Sequence, residues 1–171
     1  MADAVVIPGR AFGPGAPLPM YAGDVAGRRG ARVHRHDWSE TPPVSTPVSW
    51  VRAQISPLLG GAPLLIGKSL GTLAAPLAAE RSLPAVWLTP LLTTPEVVDA
   101  LERASAPFLL VGGTADSAWD GAVARRLTPH VVEVADADHG MYVPGPLADS
   151  IAVLGRVAEA VEAFLATIRW P

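Results

Sequence analysis

Six short strand-like runs alternate along this 171-residue chain with longer segments of helical spacing, and that alternation constrains the fold more than any other feature. The runs are Ala4–Ile7, Ala31–Arg35, Leu64–Ile66, Ala85–Leu88, Phe108–Val111 and Val131–Val134. Between them lie helical patterns at Pro19–Arg28, Val48–Leu59, the small apolar segment from Leu70, Pro95–Arg103 and Ala118–Leu127. After the last run, from Pro146 to Ile168, apolar residues Ile151, Leu154, Val157, Val161, Phe164 and Leu165 recur at helical spacing, with Arg156, Glu159 and Glu162 on the outer face. A short apolar run with a helix on either side is a strand reached by a crossover, and strands joined by crossovers are parallel and covered on both faces. The expected class is therefore α/β: a doubly wound, mostly parallel sheet of about six strands with helices on both faces. With no internal repeat and no linker, residues 1–171 read as one domain.

Composition removes several functions. Half of the residues are hydrophobic and 17% are charged, which argues against disorder. The net charge of −3 leaves no basic face, so no nucleic-acid partner is expected. There is no cysteine, hence no disulfide, thiolate nucleophile or cysteine-held metal, and the histidines and acids lack ligand spacing on any one helix. The start, Met1-Ala2-Asp3-Ala4-Val5-Val6-Ile7-Pro8, has an early acid and too short an apolar run for a signal peptide. No stretch reaches the ~18 apolar residues of a membrane span. A cytoplasmic protein is the expectation.

The chemistry concentrates at strand ends, where parallel sheets bind their ligands. Gly67-Lys68-Ser69-Leu70-Gly71 joins the run ending at Ile66 to a helical segment, and G-x-S-x-G at a strand-to-helix junction is the nucleophile elbow. The two glycines are expected to let the backbone turn sharply, so that the serine hydroxyl stands clear of the sheet before a helix N-terminus. A phosphate-loop reading fails, because the glycine it needs would fall at position 62, which is Ala62. Asp116 lies just past the fifth run in Gly112-Gly113-Thr114-Ala115-Asp116, and His139 past the sixth in Asp138-His139-Gly140. A serine hydroxyl is a weak nucleophile until a base takes its proton, and an acid must hold that base in the right tautomer. Ser69, His139 and Asp116 supply those three parts. Asp116 is equally suited to cap the helix that follows, and Asp120 is the rival acid. His34, His36 and His130 have no comparable partner. His36-Asp37-Trp38, at a strand end, either lines a cleft or forms a capping loop with a packed tryptophan.

On these residues the chain resembles the α/β-hydrolase family, in particular its small, lidless bacterial members whose elbow reads G-K-S-L-G. The resemblance runs from Val5-Val6-Ile7-Pro8-Gly9 to the last helix, and is most specific at the elbow, at Gly112–Asp116 with Trp119-Asp120, and at Asp138-His139-Gly140. It implies a minimal α/β-hydrolase fold without a lid, with Ser69 as nucleophile, Asp116 as acid, His139 as base and no cofactor. An oxyanion hole needs backbone donors: Leu70, directly after the nucleophile, and by the resemblance Arg10, with Ala11 as second choice. Pro8 has no N–H to give. Family members usually carry His-Gly after the first strand, where this chain has Pro8-Gly9. The implied activity is hydrolysis of a small-molecule ester, thioester or similar acyl substrate through an acyl-enzyme. The alternative is a hydrolase-like scaffold that binds a ligand or a protein partner without turnover. Thr89–Pro95, where relatives insert a lid, is short. An open, shallow site follows, walled by Leu91, Leu92, Tyr142 and Phe12, with weak binding of short acyl chains and little discrimination between lengths. A homodimer would supply the missing wall.

Overall fold

A computed structural model of the chain describes residues 2–11, 13–61 and 63–170. Phe12, one of the expected walls, lies outside them, as does Ala62. Strands β1 (Asp3–Ile7), β2 (Arg32–Arg35), β3 (Leu64–Lys68), β4 (Ala85–Leu88), β5 (Phe108–Gly113) and β6 (Val131–Val134) form one sheet in the order β2-β1-β3-β4-β5-β6. Every neighbouring pair is parallel. The helices are α1 (Pro17–Arg28), α2 (Val48–Ile55), α3 (Ala75–Arg81), α4 (Pro95–Glu102), α5 (Gly121–Leu127) and α6 (Leu147–Thr167).

The departures from the sequence expectation have local causes. β3 and β5 each run two residues beyond their apolar core, because Gly67-Lys68 and Gly112-Gly113 continue the ladders, pairing Ile7 with Gly67, Lys68 with Leu88 and Gly113 with Val134. Hydropathy cannot register a glycine that is in a strand. α2 gives way at Ile55 to a 3-10 turn, Ser56–Leu58, that contains Pro57. α5 begins at Gly121 rather than at Ala118, because the Asp120 side chain accepts from the N–H groups of Ala122 and Val123 and so marks the first turn.

Strand residues alternate between two cores. Val5, Ile7, Leu65, Trp87 and Leu110 face α2, α3, α4 and α5, while Val6, Ile66, Val86, Leu109 and Val111 face α1 and α6. Burial of each large aliphatic side chain contributes about 1.5–3 kcal/mol. α6 buries Val153, Val157, Val161, Phe164 and Leu165 against the sheet. Its first two turns are different: Leu147 is 64% and Ile151 58% exposed, although Ile151 keeps the helical spacing of the core face. The chain leaves a parallel strand at its C-terminal end, so α1 and α6 both start at that edge and run back across the sheet. From β1 the chain steps outward to β2 and then returns to β3 on the other side, which places the reversal of winding between β1 and β3. In open α/β sheets that crevice is where ligands bind. Among the described residues no helix is long and apolar enough to cross a membrane.

Candidate active site

Ser69 follows β3 directly and opens a 3-10 stretch, Ser69–Ala74, that leads into α3. Its φ is +51°, the left-handed region that a residue with a Cβ avoids. The expectation that the glycines make the sharp turn is therefore corrected: neither Gly67 nor Gly71 has a positive φ, and the serine itself carries the strain. The glycines serve close approach instead. A Cβ on Gly67 would lie 2.5 Å from the Trp87 ring, and one on Gly71 would lie 2.4 Å from the Ile7 carbonyl oxygen. The 3-10 turn can press onto the end of β1 only because both positions lack a side chain. Thr72, fully buried, donates its hydroxyl to the Ser69 carbonyl at 2.7 Å and accepts from the Leu91 N–H at 3.3 Å, tying the elbow to the β4–α4 connection.

The loops after β5 and β6 are stitched together. Ala115 N–H donates to Ala137 O (3.0 Å), Asp136 N–H donates to Thr114 Oγ1 (2.8 Å), and a Cβ on Gly113 would meet the Ala137 carbonyl at 2.1 Å. Trp119 lies over Gly112 and donates its indole N–H to Glu133 at 2.8 Å. Asp138 winds the next turn, its Oδ1 accepting from the N–H groups of Gly140 (2.7 Å) and Tyr142 (3.0 Å).

These devices bring the three expected side chains into one hydrogen-bonded line. His139 Nδ1 lies 2.8 Å from Asp116 Oδ2, and His139 Nε2 lies 2.7 Å from Ser69 Oγ. The Asp116 side chain is 1% exposed, and its other oxygen accepts from the Ala118 N–H at 2.9 Å, whereas the His139 side chain is 40% exposed. Asp120 is elsewhere, capping α5. Among the described residues, four of the six non-glycine positions with positive φ, namely Ser69, Thr89, Asp136 and Met141, lie at the C-terminal edge of the sheet. Such strain persists only where the surroundings over-determine it, and it collects at functional sites.

The loop after β1 runs alongside. A Cβ on Gly9 would be 3.2 Å from Lys68 Cδ and 3.6 Å from Ser69 Cβ. Trp38 donates its indole N–H to the Gly9 carbonyl at 3.0 Å and packs its ring on Trp50. The Arg10 guanidinium reaches away from the serine to the carbonyls of Pro42, Pro43 and Val44 and to Thr46 Oγ1. Among the described residues, the main-chain N–H groups of Leu70 and Arg10 have no hydrogen-bond partner. The His36-Asp37-Trp38 segment is thus a packed loop that also pins the chain beside Ser69, a contact no spacing in the sequence signals. His36 is buried, and that burial, helped by His34, holds its pKa below the usual histidine value.

The expected walls need correction. Leu92 is buried in the core that faces α3 and α4, and Leu91 packs on it. Neither is on the lining of the cavity beside His139. That cavity, of about 490 Å³, lies between the first turns of α1 and α6, lined by Pro17, Leu18, Met141, Leu147, Ile151 and Leu154, with Tyr142, Lys68 and His139 also on its wall. Lys68, half-buried, has its pKa pushed below the usual lysine value by that burial, against the pull of Asp116 and Asp138.

No family model matches the sequence, and no curated protein does. Solved structures do. The chain is similar to Est1E from Butyrivibrio proteoclasticus with ferulic acid bound (TM-score 0.77, 14% identity, covering 100% of this chain and 90% of that one). It is also similar to a protein of the α/β hydrolase superfamily from Xanthomonas campestris pv. campestris (TM-score 0.75, 20% identity, 98% and 99% covered). A third likeness is to an α/β serine hydrolase without a lid from Xanthomonas campestris (TM-score 0.60, 16% identity, 96% and 84% covered). At these identities the likeness is one of fold. The chain has the lidless α/β-hydrolase fold.

Proposed function

We propose that this chain, acting as one domain, is a serine hydrolase that cleaves esters, thioesters or similar acyl substrates. The single observation that carries this reading is the unbroken line from Asp116 Oδ2 through His139 to Ser69 Oγ, with contacts of 2.8 and 2.7 Å. With its Nδ1–H donated to Asp116, the imidazole presents a lone pair at Nε2, the tautomer a general base requires. His139 takes the Ser69 proton as Oγ adds to the carbonyl carbon. The oxyanion is held by the N–H groups of Leu70 and Arg10, both without a hydrogen-bond partner among the described residues. As the tetrahedral species collapses, the proton on Nε2 passes to the leaving group, giving the acyl-enzyme. Water then adds with His139 again as base, and the acid leaves with Ser69 restored. The strained Ser69 backbone keeps the hydroxyl presented to the edge of the sheet without a conformational change.

The acyl class is supported by relatives of the same fold: one is described as a serine hydrolase, and Est1E holds ferulic acid, a carboxylic acid. The test is covalent labelling by a fluorophosphonate, which reacts with an activated serine. Label on the wild type and none on Ser69→Ala is the expected result. A folded wild type that takes no label would favour the non-catalytic scaffold.

A further inference from the structure

The cavity beside His139 has a character that the hydrolase reading alone does not require. Its wall is apolar along both helices, and Leu147, Ile151 and Tyr142 stand 64%, 58% and 57% exposed around it. Large side chains left exposed together next to a polar centre mark a surface that something covers. Lys68 is the lysine on that wall, beside the polar His139 and Ser150. It precedes Ser69 in the chain, its stem lies against Gly9, and among the described residues no carboxylate is within ion-pair distance of its ammonium. Its partial burial weakens the ammonium's hydration while Asp116 and Asp138 attract it from a distance, so an occupant that brings an oxygen anion to it gains a charged hydrogen bond.

We propose that this cavity is the binding site for a medium-chain apolar carboxylic acid, with the chain between the first turns of α1 and α6 and the carboxylate on Lys68. The identification of the acid as the reaction's product, and so of the substrate as its ester or thioester, rests on the hydrolase reading. Deacylation adds water to the acyl-enzyme and yields one carboxylate and one proton, so a new negative charge forms at Ser69, whose Oγ is 2.7 Å from His139 Nε2, and His139 and Lys68 both line the cavity. At about 30 Å³ for each water-sized group, half filling the cavity of about 490 Å³ takes a chain of roughly eight carbons. α1 and α6 also begin at this rim without a side-chain cap, and their positive ends favour the same sign of ligand; Asp149 in the first turn of α6 offsets part of this.

The test is direct binding of octanoate and octanamide to Ser69→Ala by titration calorimetry, which needs no turnover. Octanoate should bind about tenfold or more tightly than the amide, as a charged hydrogen bond would require, and the difference should vanish in Ser69→Ala proteins that also carry Lys68→Met or Lys68→Gln and persist with Lys68→Arg. Affinity should rise about threefold to fourfold for each methylene from butanoate to octanoate, and fall in Leu147→Asp, a change at an exposed position that the fold tolerates. Equal affinity for acid and amide would overturn the role of Lys68. A flat chain-length series, or an unchanged Leu147→Asp protein, would overturn the cavity as the site. Octanoate binding without fluorophosphonate labelling would leave this site standing and remove the hydrolase reading; labelling without octanoate binding would do the reverse.

Discussion

Replacing Ser69 with glycine should leave the protein more stable than replacing it with alanine, and either change should remove its reaction. Ser69 holds φ at +51°, where a residue with a Cβ costs about 1–2 kcal/mol over an ordinary conformation. Glycine escapes that cost, but its greater freedom in the unfolded chain takes back about 0.5–1 kcal/mol. The reference is Ser69→Ala, which keeps the Cβ and, like glycine, loses the 2.7 Å contact with His139. The net difference is roughly 0.5–1 kcal/mol in favour of glycine. In a domain of this size ~1 kcal/mol moves the Tm by about 2–4 °C, so Ser69→Gly should melt roughly 1–4 °C above Ser69→Ala. Scanning calorimetry reads this directly, with urea unfolding at an unchanged m-value as the check. Ser82 supplies the control: it also has φ +51°, at the C-terminus of α3, where its N–H lies on the carbonyls of Ala78 and Ala79. Ser82→Gly should gain a similar amount over Ser82→Ala and leave turnover unchanged. If Ser82→Gly is the more stable of its pair while Ser69→Gly is not, the elbow is not strained and the argument fails.

Asp116→Asn should lower ester turnover on the order of 10³–10⁴-fold, whereas Asp120→Ala should cost ~1 kcal/mol of stability through loss of the α5 cap and leave kcat within a few-fold; steady-state kinetics beside thermal unfolding separates the two, and the opposite ranking would exchange their roles. Trp38→Phe keeps a ring to pack on Trp50 but loses the 3.0 Å bond to the Gly9 carbonyl. Its kcat should fall about fivefold at near-constant KM, and an unchanged kcat would show that the loop after β1 does not depend on this bond. Gly112→Ala would put a Cβ 2.0 Å from the Trp119 ring and should destabilise by about 1–3 kcal/mol. Gly155→Ala, in α6 with nothing within 4 Å of the added carbon, should instead stabilise by about 0.5–1 kcal/mol, and calorimetry on the two measures the contrast.

Much of this molecule is legible in one dimension, because local rules write it there. Strand and helix positions follow from apolar period and from Gly and Pro, and a parallel sheet follows from the crossovers those elements require. Ser69, Asp116 and His139 stand out because each comes just after a strand, and strand ends converge on one edge of such a sheet. Distances across that edge are not local quantities. The 2.7 and 2.8 Å contacts of His139 depend on how the β5 and β6 loops are stitched at Gly113, Ala115 and Asp136, and no periodicity carries that. The lining of the cavity is hidden from the sequence for the same reason, Tyr142 excepted. Leu91 and Leu92 are near the site in sequence logic, but the β4–α4 connection turns them into the core, while Leu147 and Ile151 share a helical stripe with buried residues and emerge only because α6 starts at the edge of the sheet. Apolar spacing determines which face of a helix seeks cover. Where along its length that cover ends, and so where a cavity opens, is decided by the packing of α1 and α6 on the sheet, which only the tertiary structure contains.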